Sequence, residues 1–588
     1  MIRALKWSLA AWAVISLAIA LDDVVLGGFY FTVAGLRISS FEAYKPFRNG
    51  MMCACAAFWL NDRDAGSISS WARVRQLSLP LAAAAAAAFV ALAVHFGIFV
   101  AGGSDAWGYV SQAALWSSGT LIVPEPLAPI GRAVGVVTAP LGYRPAQIPG
   151  ASVPTYSAGY PLMMTVASKL AGDAAIYYVV PLCGGAVVLL TFALGARFAG
   201  RRTGLVAALL TGCSPILLFQ SLEPMSDVPV TMWFVLAWWL ILGESTGAAA
   251  AAGLATAAAI LTRPNLAPLA LVLLAVAARR QPRLHRAAAY ALATLPGAVA
   301  VAAINRHLYG TVSMSGYGSL GDIYDWRNFV PNLQRYPLWL VQLHTPAILA
   351  ALAMPFAARR EPDATGAIGD TRRVAFWMMV FSIALLLSYL VYGVFEEWPY
   401  VRFLLPAIPV LLVLTSNGLL TVTERIPLAF RTALLFVVVV LFGIWSFRKS
   451  DALGVYAVGF GERRYEAVGR YIDKHLPQNA AVITVIQSGS IRLYGHRPTL
   501  RWDELPAEKL DATIDALRTH GYEPYLLLED WEEPMFRARF TPGNEFGGLD
   551  WPPALVCPGS ITVRVYGAGD RSRYFAGARW VPLVIPRS

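Results

Sequence analysis

The sequence has few charged residues and few cysteines. Charged residues make up 14% of the 588 residues, against about 25% in an ordinary soluble protein, and this excludes a string of soluble domains. The five cysteines lie mostly in apolar stretches, so no disulfide framework is predicted. The net charge is +11, but the basic residues are scattered. This distribution argues against nucleic-acid binding and suits loops that face anionic membrane lipid.

Long apolar runs take the place of the missing charge. Hydrophobic residues make up 57% of the chain, and runs of about 18 to 24 of them recur, each long enough to cross a hydrocarbon core. The sequence therefore predicts an all-α polytopic membrane protein with about thirteen transmembrane helices. The predicted spans are approximately 5–24, 45–60, 78–101, 174–197, 203–220, 227–243, 247–262, 264–279, 287–306, 337–357, 373–394, 402–421 and 428–447.

Two of these runs are ambiguous. The run from Gly247 to Ala278 is interrupted by Arg263-Pro264, and a proline there disfavours helix at the preceding residue, which predicts a pair of short helices. The first run follows Arg3 and Lys6 and ends in Ala18-Ile19-Ala20, which also fits a cleaved secretory signal. An uncleaved first helix is favoured because many spans follow it.

Arginines cluster in alternate connections between the runs. The positive-inside bias then places the N-terminus in the cytoplasm. The long loops 102–173 and 307–336, and everything after about residue 448, lie outside. The predicted cytoplasmic connections contain Arg63, Arg73, Arg75, Arg197, Arg201, Arg202, Arg279, Arg280, Arg283, Arg286, Arg359, Arg360, Arg372, Arg373, Arg425 and Arg431.

Composition divides the chain into three regions. Residues 1–77 contain two N-terminal transmembrane helices and a cytoplasmic loop, and residues 78–447 form a transmembrane core. Residues 448–588 are predicted to be a small α/β domain outside the membrane, because helix and strand patterns alternate there. The helices are predicted at 465–476 and 508–519 and the strands at 481–486 and 524–528; two further helix patterns, at 107–117 and 160–170, fall in the 102–173 loop.

Acidic residues at the predicted outer boundary are candidates for catalysis. Asp105 follows the third apolar run, and Glu223 and Asp227 lie between two later spans. A carboxylate at a membrane boundary is costly to desolvate, which indicates a function. The alternative is helix capping, with Asp105 as the N-cap of a helix that begins at Ala106 and Asp227 at the start of another helix.

Basic and aromatic residues near the same boundary are candidates for substrate binding. Arg263 interrupts an apolar run and Arg402 begins a late one, and a planar guanidinium suits phosphate. Snorkelling to water is the other explanation for such arginines. The candidates for substrate contacts are Tyr109, Tyr156, Tyr160, Tyr317 and His344, although interfacial aromatic belts explain many such residues without any site.

The order of these motifs resembles a known family. It consists of an acid after a span in the first outer loop, the cluster 223–227, Arg263-Pro264-Asn265 within a broken helix pair, and the stretch 402–409 at the start of a late span. This order of motifs is similar to that of the GT-C glycosyltransferases. The branch it resembles is the family-39-like membrane enzymes, which include protein O-mannosyltransferases and the lipid A aminoarabinose transferase. The resemblance covers about residues 78–447, and the stretches 489–494 and 498–503 look like the outer domain of some bacterial members.

The resemblance implies transfer of a sugar from a polyprenyl-phosphate carrier to a lipid, glycan or protein acceptor at the outer membrane face, usually with inversion. Asp105 would be the general base. Glu223 and Asp227 would position substrates or, with Asp105, hold a divalent cation such as Mg²⁺ or Mn²⁺. Arg263 and Arg402 would stabilise the leaving phosphate.

One stretch departs from the family pattern. Several relatives carry a lysine before Pro-Pro-Leu in the first outer loop, but the matching stretch 156–162 has none. Arg132 and Arg144 are therefore further candidates for phosphate binding.

Two other classes of protein fit the hydropathy. A secondary transporter or lipid flippase also has many spans, but transporters usually show repeated halves with matching broken helices. Only one broken pair is visible here, and the charges lie at the boundary rather than the midplane. A scaffold whose outer domain binds a partner is the third reading.

Overall fold

The computed structural model describes residues 2–25, 27–33, 36–42, 44–64, 68–360, 371–425 and 428–585. Among the arginines that predicted the orientation, five have side chains that lie outside the described residues: Arg63, Arg73, Arg75, Arg425 and Arg431.

The N-terminal region consists of three helices and a short hairpin. The first two helices pack along each other, and the hairpin between them is antiparallel. The elements are α1 (Ile2–Val25), β1 (Phe29–Val33), β2 (Leu36–Ser40), α2 (Tyr44–Asp64) and α3 (Ile68–His95).

The 102–173 loop is an ordered layer of short helices and strands. Two of its helices match the predicted ones at 107–117 and 160–170. Its three strands form an antiparallel sheet in the order β3-β5-β4, which was not predicted because strands of two to four residues show no alternation. The elements are α4 (Asp105–Ser118), β3 (Val123–Pro124), α5 (Ala128–Val134), β4 (Tyr143–Pro145), β5 (Ala151–Pro154) and α6 (Gly159–Ala171).

Helices dominate the region from residue 173 to residue 452. Short 3-10 segments connect several of them, at Asp173–Tyr178, Pro264–Leu266, Trp326–Asn328, Pro346–Ala353, Trp398–Ala407 and Thr423–Arg425. The α-helices are α7 (Val179–Phe198), α8 (Arg201–Gly212), α9 (Pro215–Leu222), α10 (Asp227–Ile241), α11 (Thr246–Thr262), α12 (Leu269–Ala277), α13 (Arg283–Tyr309), α14 (Leu320–Ile323), α15 (Phe329–His344), α16 (Met354–Ala357), α17 (Thr371–Leu390), α18 (Ile408–Val422) and α19 (Leu428–Ala452).

The chain is a multi-pass membrane protein. Within its described residues, five helices are long and apolar enough to cross a membrane, or seven if each of two bent helix pairs counts as one span. Three shorter apolar helices do not reach that length, at Leu5–Ala20, Asp227–Ile241 and Thr246–Thr262. The predicted count of about thirteen spans is therefore not confirmed.

Two predicted spans are bent rather than straight. The predicted span 203–220 is divided into α8 and α9, which meet at 55°. The predicted span 337–357 begins earlier, in α15, and bends by 108° before its second half. In both cases a proline, Pro215 or Pro346, directly follows the break, and a residue before proline disfavours helical backbone.

The chain after α19 forms one six-stranded sheet with helices around it. The strand order is β11-β9-β10-β8-β6-β7; β7, β6 and β8 are parallel, whereas β10 runs antiparallel to both its neighbours. The last three strands were not predicted. The elements are α20 (Val458–Glu462), α21 (Arg464–His475), β6 (Ala480–Ile483), α22 (Ser488–Tyr494), β7 (Thr499–Leu500), α23 (Leu510–Thr519), β8 (Glu523–Glu529), α24 (Glu532–Arg539), β9 (Leu555–Cys557), β10 (Val563–Gly567), α25 (Asp570–Phe575) and β11 (Leu583–Val584).

The C-terminal unit docks on the 102–173 layer through α22. The backbone N–H of Ala101 donates to the hydroxyl of Tyr494 at 2.9 Å, and that of Leu141 donates to Ser488 at 3.0 Å. The Trp107 ring lies against Gly489, where a Cβ atom would come within 2.0 Å of it. Since α4 carries both Trp107 and Asp105, this contact fixes the helix that bears the candidate base.

Candidate active site

Asp105 is the first residue of α4. Gly103, two residues before Asp105, has a φ of +57°, and this turn of the backbone leads into the helix. The N-cap is Ser104, and no side-chain capping hydrogen bond forms. The alternative prediction that Asp105 is the N-cap is therefore wrong, and its carboxylate is available for other contacts.

The Asp105 carboxylate contacts two residues from distant parts of the chain. The Tyr156 hydroxyl donates to Oδ1 at 2.7 Å and lies 2.7 Å from the Ser104 hydroxyl. An Arg402 Nη2 donates to Oδ2 at 3.2 Å, although the two residues are 297 positions apart. About a third of the Asp105 side chain stays exposed (34%), so a substrate can reach it.

Arg402 lies in the 3-10 segment Trp398–Ala407. Its guanidinium carbon is 5.2 Å from the centre of the Tyr400 ring and 5.4 Å from that of Phe403, distances that favour cation–π attraction. The buried Nε–H has no hydrogen-bond partner in the described chain. An unpaired buried donor is costly, so this group favours an acceptor supplied by a ligand.

Asp227 and Arg263 form a second ion pair beside the first. Arg263 Nη2 lies 2.9 Å from Asp227 Oδ1, but neither Asp227 oxygen has a partner in hydrogen-bond geometry within the described residues, so the contact is an ion pair only. Arg263 Nε donates to the Ser226 hydroxyl at 3.1 Å. That hydroxyl is 2.8 Å from the Tyr109 hydroxyl, which links this pair back to α4.

Phe403 connects the two arginines. The Arg263 guanidinium carbon is 5.6 Å from its ring centre, so both cations lie over the same aromatic side chain. Tyr389 stacks on Phe403 with 4.7 Å between ring centres and accepts a hydrogen bond from Asn265 at 2.8 Å. The Arg263-Pro264-Asn265 motif and the Arg402-Phe403 motif are thereby held as one unit.

Glu223 lies at the end of α9, close to these ion pairs. Burial, and after it the charge of Glu462, raise the pKa of its carboxyl from 4.5 to about 8, although Arg402 acts to lower this pKa. Asp105 and Asp227 also contribute to the rise. The three candidate carboxylates therefore interact electrostatically, and Glu462 of the C-terminal unit joins them.

The neighbouring tyrosines are donors rather than bases. Burial raises the pKa of Tyr156 and of Tyr109 well above the usual value, and the charge of Asp105 raises both further. Tyr160 is fully buried, with its ring centre 5.1 Å from that of Tyr109. Tyr317 packs edge-on against Tyr156 at 5.9 Å and is more than half exposed (54%), so it forms one rim of the site.

Three predicted site residues lie elsewhere. Arg144 donates to the backbone carbonyl of Ser315 at 2.9 Å and holds the 307–336 loop. Arg132 is exposed on α5, where no described contact joins it to the carboxylates. His344 is buried at the bend after α15, with Nε2 2.9 Å from the Ser214 hydroxyl. It joins the two bent helix pairs.

The predicted divalent-cation site does not fit this geometry. Asp105 is occupied by Arg402 and Tyr156, and Asp227 by Arg263. Among the described residues, no three Asp, Glu, His or Cys side chains are grouped closely enough to hold a metal ion.

Several residues of the site escaped the sequence reasoning. Ser226 and Phe403 adjoin predicted residues, and their polar or aromatic character was a weak signal. Glu462 lies in a region predicted to be a separate domain, so no sequence signal linked it to Glu223.

Comparison with known proteins rests on structure. No family model and no curated protein matches the sequence. The structure of ArnT from Cupriavidus metallidurans bound to undecaprenyl phosphate aligns with a TM-score of 0.50 and 13% sequence identity, over 82% of this chain and 96% of that one. The Archaeoglobus fulgidus oligosaccharyltransferase in its apo form aligns with a TM-score of 0.50 and 12% identity, over 79% of this chain and 71% of that one. Both are GT-C superfamily glycosyltransferases, and at this low identity the likeness shows that the chain shares their fold.

Proposed function

We propose that this protein is a membrane glycosyltransferase that uses a polyprenyl-phosphate-linked sugar. Asp105 accepts the proton of an acceptor hydroxyl while that oxygen forms a bond to the anomeric carbon. The bond between the anomeric carbon and the phosphate oxygen breaks at the same time, and the carrier leaves as polyprenyl phosphate. Attack from the face opposite the leaving group inverts the anomeric configuration.

The contact between Asp105 and Arg402 is the observation that carries this proposal. It places a partly exposed carboxylate beside a cation, which is the pairing that base catalysis and a departing phosphate need. The uncommitted Nε–H of Arg402 supplies a donor for a phosphate oxygen. Arg263 adds a second positive charge, with its guanidinium carbon 5.6 Å from the centre of the Phe403 ring.

The similar ArnT structure supports the class of donor. That protein is bound to undecaprenyl phosphate, a polyprenyl phosphate whose anionic head group matches the chemistry of Arg402 and Arg263. The acceptor hydroxyl belongs to a lipid, glycan or protein.

The location of the site supports the predicted topology. We place it at the outer face of a bacterial cytoplasmic membrane, with the N-terminus in the cytoplasm and residues 448–588 outside as a separate α/β domain. The influence of Glu462 on Glu223 and the close approach of Tyr465 to Gly102 support a shared side for that domain and the candidate base.

Replacement of Asp105 tests the proposed function. Purified protein in lipid nanodiscs is assayed for transfer from a panel of undecaprenyl-phosphate-linked sugars, and the anomeric configuration of the product is read by NMR. Asp105→Asn should lower kcat by about 10² to 10⁴-fold, the usual contribution of a general base.

Asp173→Asn is the matched control. Asp173 is an exposed carboxylate at the end of the same outer layer, and it accepts a hydrogen bond from Ser168 at 2.7 Å. Asp173→Asn should leave kcat unchanged. Full transfer activity in Asp105→Asn would sink the proposal.

A further inference from the structure

A cavity of about 370 Å³ lies in the 102–173 layer, apart from the carboxylates. It opens between α5 and the three-stranded sheet, and small side chains such as Ala128 and Ser152 leave it unfilled. Its volume falls within the range of about 300 to 1,000 Å³ that is typical of small-molecule sites. None of its lining residues belongs to the group around Asp105 and Arg402.

The cavity attracts anions. Glu125 is its one acidic lining residue in the described chain, and Arg492 neutralises that carboxylate with two hydrogen bonds of 3.0 and 2.9 Å. Arg132 is its one basic lining residue, and its exposed guanidinium makes no hydrogen bond or ion pair in the described chain.

A second cation stands at the edge of the cavity. The Lys509 ammonium donates to the backbone carbonyl of Val134 at 2.7 Å. It lies 3.2 Å from the position that a Cβ atom on Gly135, a lining residue, would occupy. An ammonium has three donors, so Lys509 keeps two for a ligand.

The remaining walls suit a carbohydrate. Thr138 and Ser152 line the cavity, and within the described structure neither hydroxyl makes a hydrogen bond. Each is therefore able to donate and to accept one. Ala139, another lining residue, packs in the same apolar cluster as Trp107 of α4. A ligand here is thus separated from the helix of the candidate base by one packed layer.

We propose that this cavity binds a sugar unit of the acceptor that carries a phosphate or carboxylate group. Arg132 binds the anionic group, Lys509 adds a second donor, and the two hydroxyls bind the sugar. The inference rests on the proposed function, because an acceptor is what the Asp105 site requires in addition to its donor. Arg132, which the sequence assigned to the donor phosphate, becomes a ligand of the acceptor.

Binding of soluble sugars to the full-length protein in nanodiscs tests this inference. The probes are glucuronic acid, glucose 6-phosphate, uncharged methyl glucoside and inorganic phosphate, followed by isothermal titration and saturation-transfer NMR. The two anionic sugars should bind at least about tenfold more tightly than methyl glucoside and than inorganic phosphate, since a charge-assisted contact is added to the sugar contacts. Equal affinity for all four probes, or no binding of the anionic sugars, overturns the inference.

Substitutions locate the bound sugar. Arg132→Ala should weaken anionic-sugar binding by about tenfold, and Arg132→Lys should bind with an affinity between those of Arg132→Ala and the wild type. Arg470→Ala, whose exposed side chain pairs with Glu466, should change nothing. Ala128→Phe fills the cavity and leaves Arg132 in place, and it should abolish binding of every sugar. Unchanged binding in Arg132→Ala overturns the inference. Because Arg132 is exposed, Arg132→Ala should fold and therefore tests the inference even if Ala128→Phe does not fold.

Two further arms separate this inference from the proposed function and from a lipid ligand. Asp105→Asn should lose transfer but keep anionic-sugar binding. In the wild type, transfer without any anionic-sugar binding refutes the inference alone, and anionic-sugar binding without transfer refutes the proposed function alone. Undecaprenyl phosphate in the nanodisc should not compete with glucose 6-phosphate. Competition that Arg132→Ala removes would assign the cavity to the donor head group and overturn the inference.

Discussion

Arg402 combines three roles at the scale of a single residue. It pairs with Asp105, lies over the rings of Tyr400 and Phe403, and keeps its Nε–H unpaired in the described chain. A lysine keeps the charge but loses the planar fork of donors and the ring stacking. The position therefore separates the effect of charge from that of shape.

We expect Arg402→Lys to raise the KM for the polyprenyl-phosphate donor by about tenfold or more, because lysine lacks the Nε–H that is proposed to bind a phosphate oxygen while Nη2 contacts Asp105. The KM for the acceptor should change less. Steady-state kinetics with each substrate varied in turn measures both values. Arg470→Lys, whose exposed side chain pairs with Glu466, is the control. An unaltered donor KM in Arg402→Lys would argue against phosphate binding by Arg402.

Glu223 gives the protein a specific dependence on pH. Its pKa is raised from 4.5 to about 8 in the folded state, so the folded protein keeps a proton that the unfolded chain loses near the lower value. Between these pKa values the unfolded state binds fewer protons, and the free energy of unfolding falls as the pH rises. Below about pH 4.5 and above about pH 8 this contribution is constant.

Glu223→Gln should remove that dependence. Relative to the wild type, the variant should gain stability as the pH rises from about 4.5 to about 8. Thermal unfolding of the detergent-solubilised proteins, followed by tryptophan fluorescence, measures the difference in midpoints. The exposed Glu508→Gln should follow the wild type at every pH, and a Glu223→Gln curve parallel to the wild type would contradict the assigned environment.

At the scale of the element, the position of α4 depends on close packing at two glycines, one in α22 and one in α4 itself. The ring of Trp107 occupies the space where Gly489 of α22 would carry a Cβ atom, 2.0 Å from the nearest ring atom. Tyr156 lies equally close to Gly108 of α4 itself. The position of the helix therefore depends on the absence of a side chain at these two glycines as well as on hydrogen bonds.

We expect Gly489→Ala to destabilise the protein by about 1 to 3 kcal/mol, the usual cost of overpacking, and to lower transfer activity because Trp107 must shift. Gly569→Ala has open space around it and should be close to neutral. Thermal midpoints and kcat are measured for both. Adding Trp107→Leu to Gly489→Ala should recover part of the lost stability, and failure of Gly489→Ala to affect either quantity would contradict the close packing.

The predictability of the elements follows from their length. The helices at 107–117 and 160–170 and the strand at 524–528 were predicted because several turns or alternations give a clear pattern. The two-residue strands β3, β7 and β11 give none. The bends after α8 and α15 depended on Pro215 and Pro346, whose positions inside apolar runs were not used to divide the predicted spans.

Prediction of the site from the sequence was also limited to what local patterns encode. Asp105, Glu223, Asp227, Arg263 and Arg402 were named from the sequence, because charge is rare in apolar runs. Their pairing was not predictable, since Asp105 meets Arg402 across 297 residues and no local pattern encodes that contact. Arg132 and Arg144 were named because the stretch 156–162 lacks the lysine of the family that the sequence resembles, yet tertiary packing places them away from the carboxylates.

At the scale of the whole molecule, the ion pair between Arg492 and Glu125 joins the C-terminal unit to the 102–173 layer. Arg492 binds both oxygens of Glu125 and also donates to the backbone carbonyls of Thr138 and Thr499. Only 15% of the Arg492 side chain and 4% of the Glu125 side chain are exposed. Removal of one partner from such a pair leaves a buried charge uncompensated.

Arg492→Met should therefore lower stability by about 3 to 5 kcal/mol. Adding Glu125→Gln to it should cost little more, because the stranded charge is then removed. Denaturant unfolding of the wild type, both single variants and the double variant gives the coupling energy. Additive effects would show that the pair does not join the two parts.

The Trp107–Gly489 contact also has a consequence for biosynthesis. A ribosome makes the chain from its N-terminus, so α4 is synthesised long before Gly489. Until then the indole of Trp107 has no cover on that side. The nascent chain thus carries its candidate base on an incompletely packed helix, and the pocket reaches its final shape only after almost the entire polypeptide has been translated.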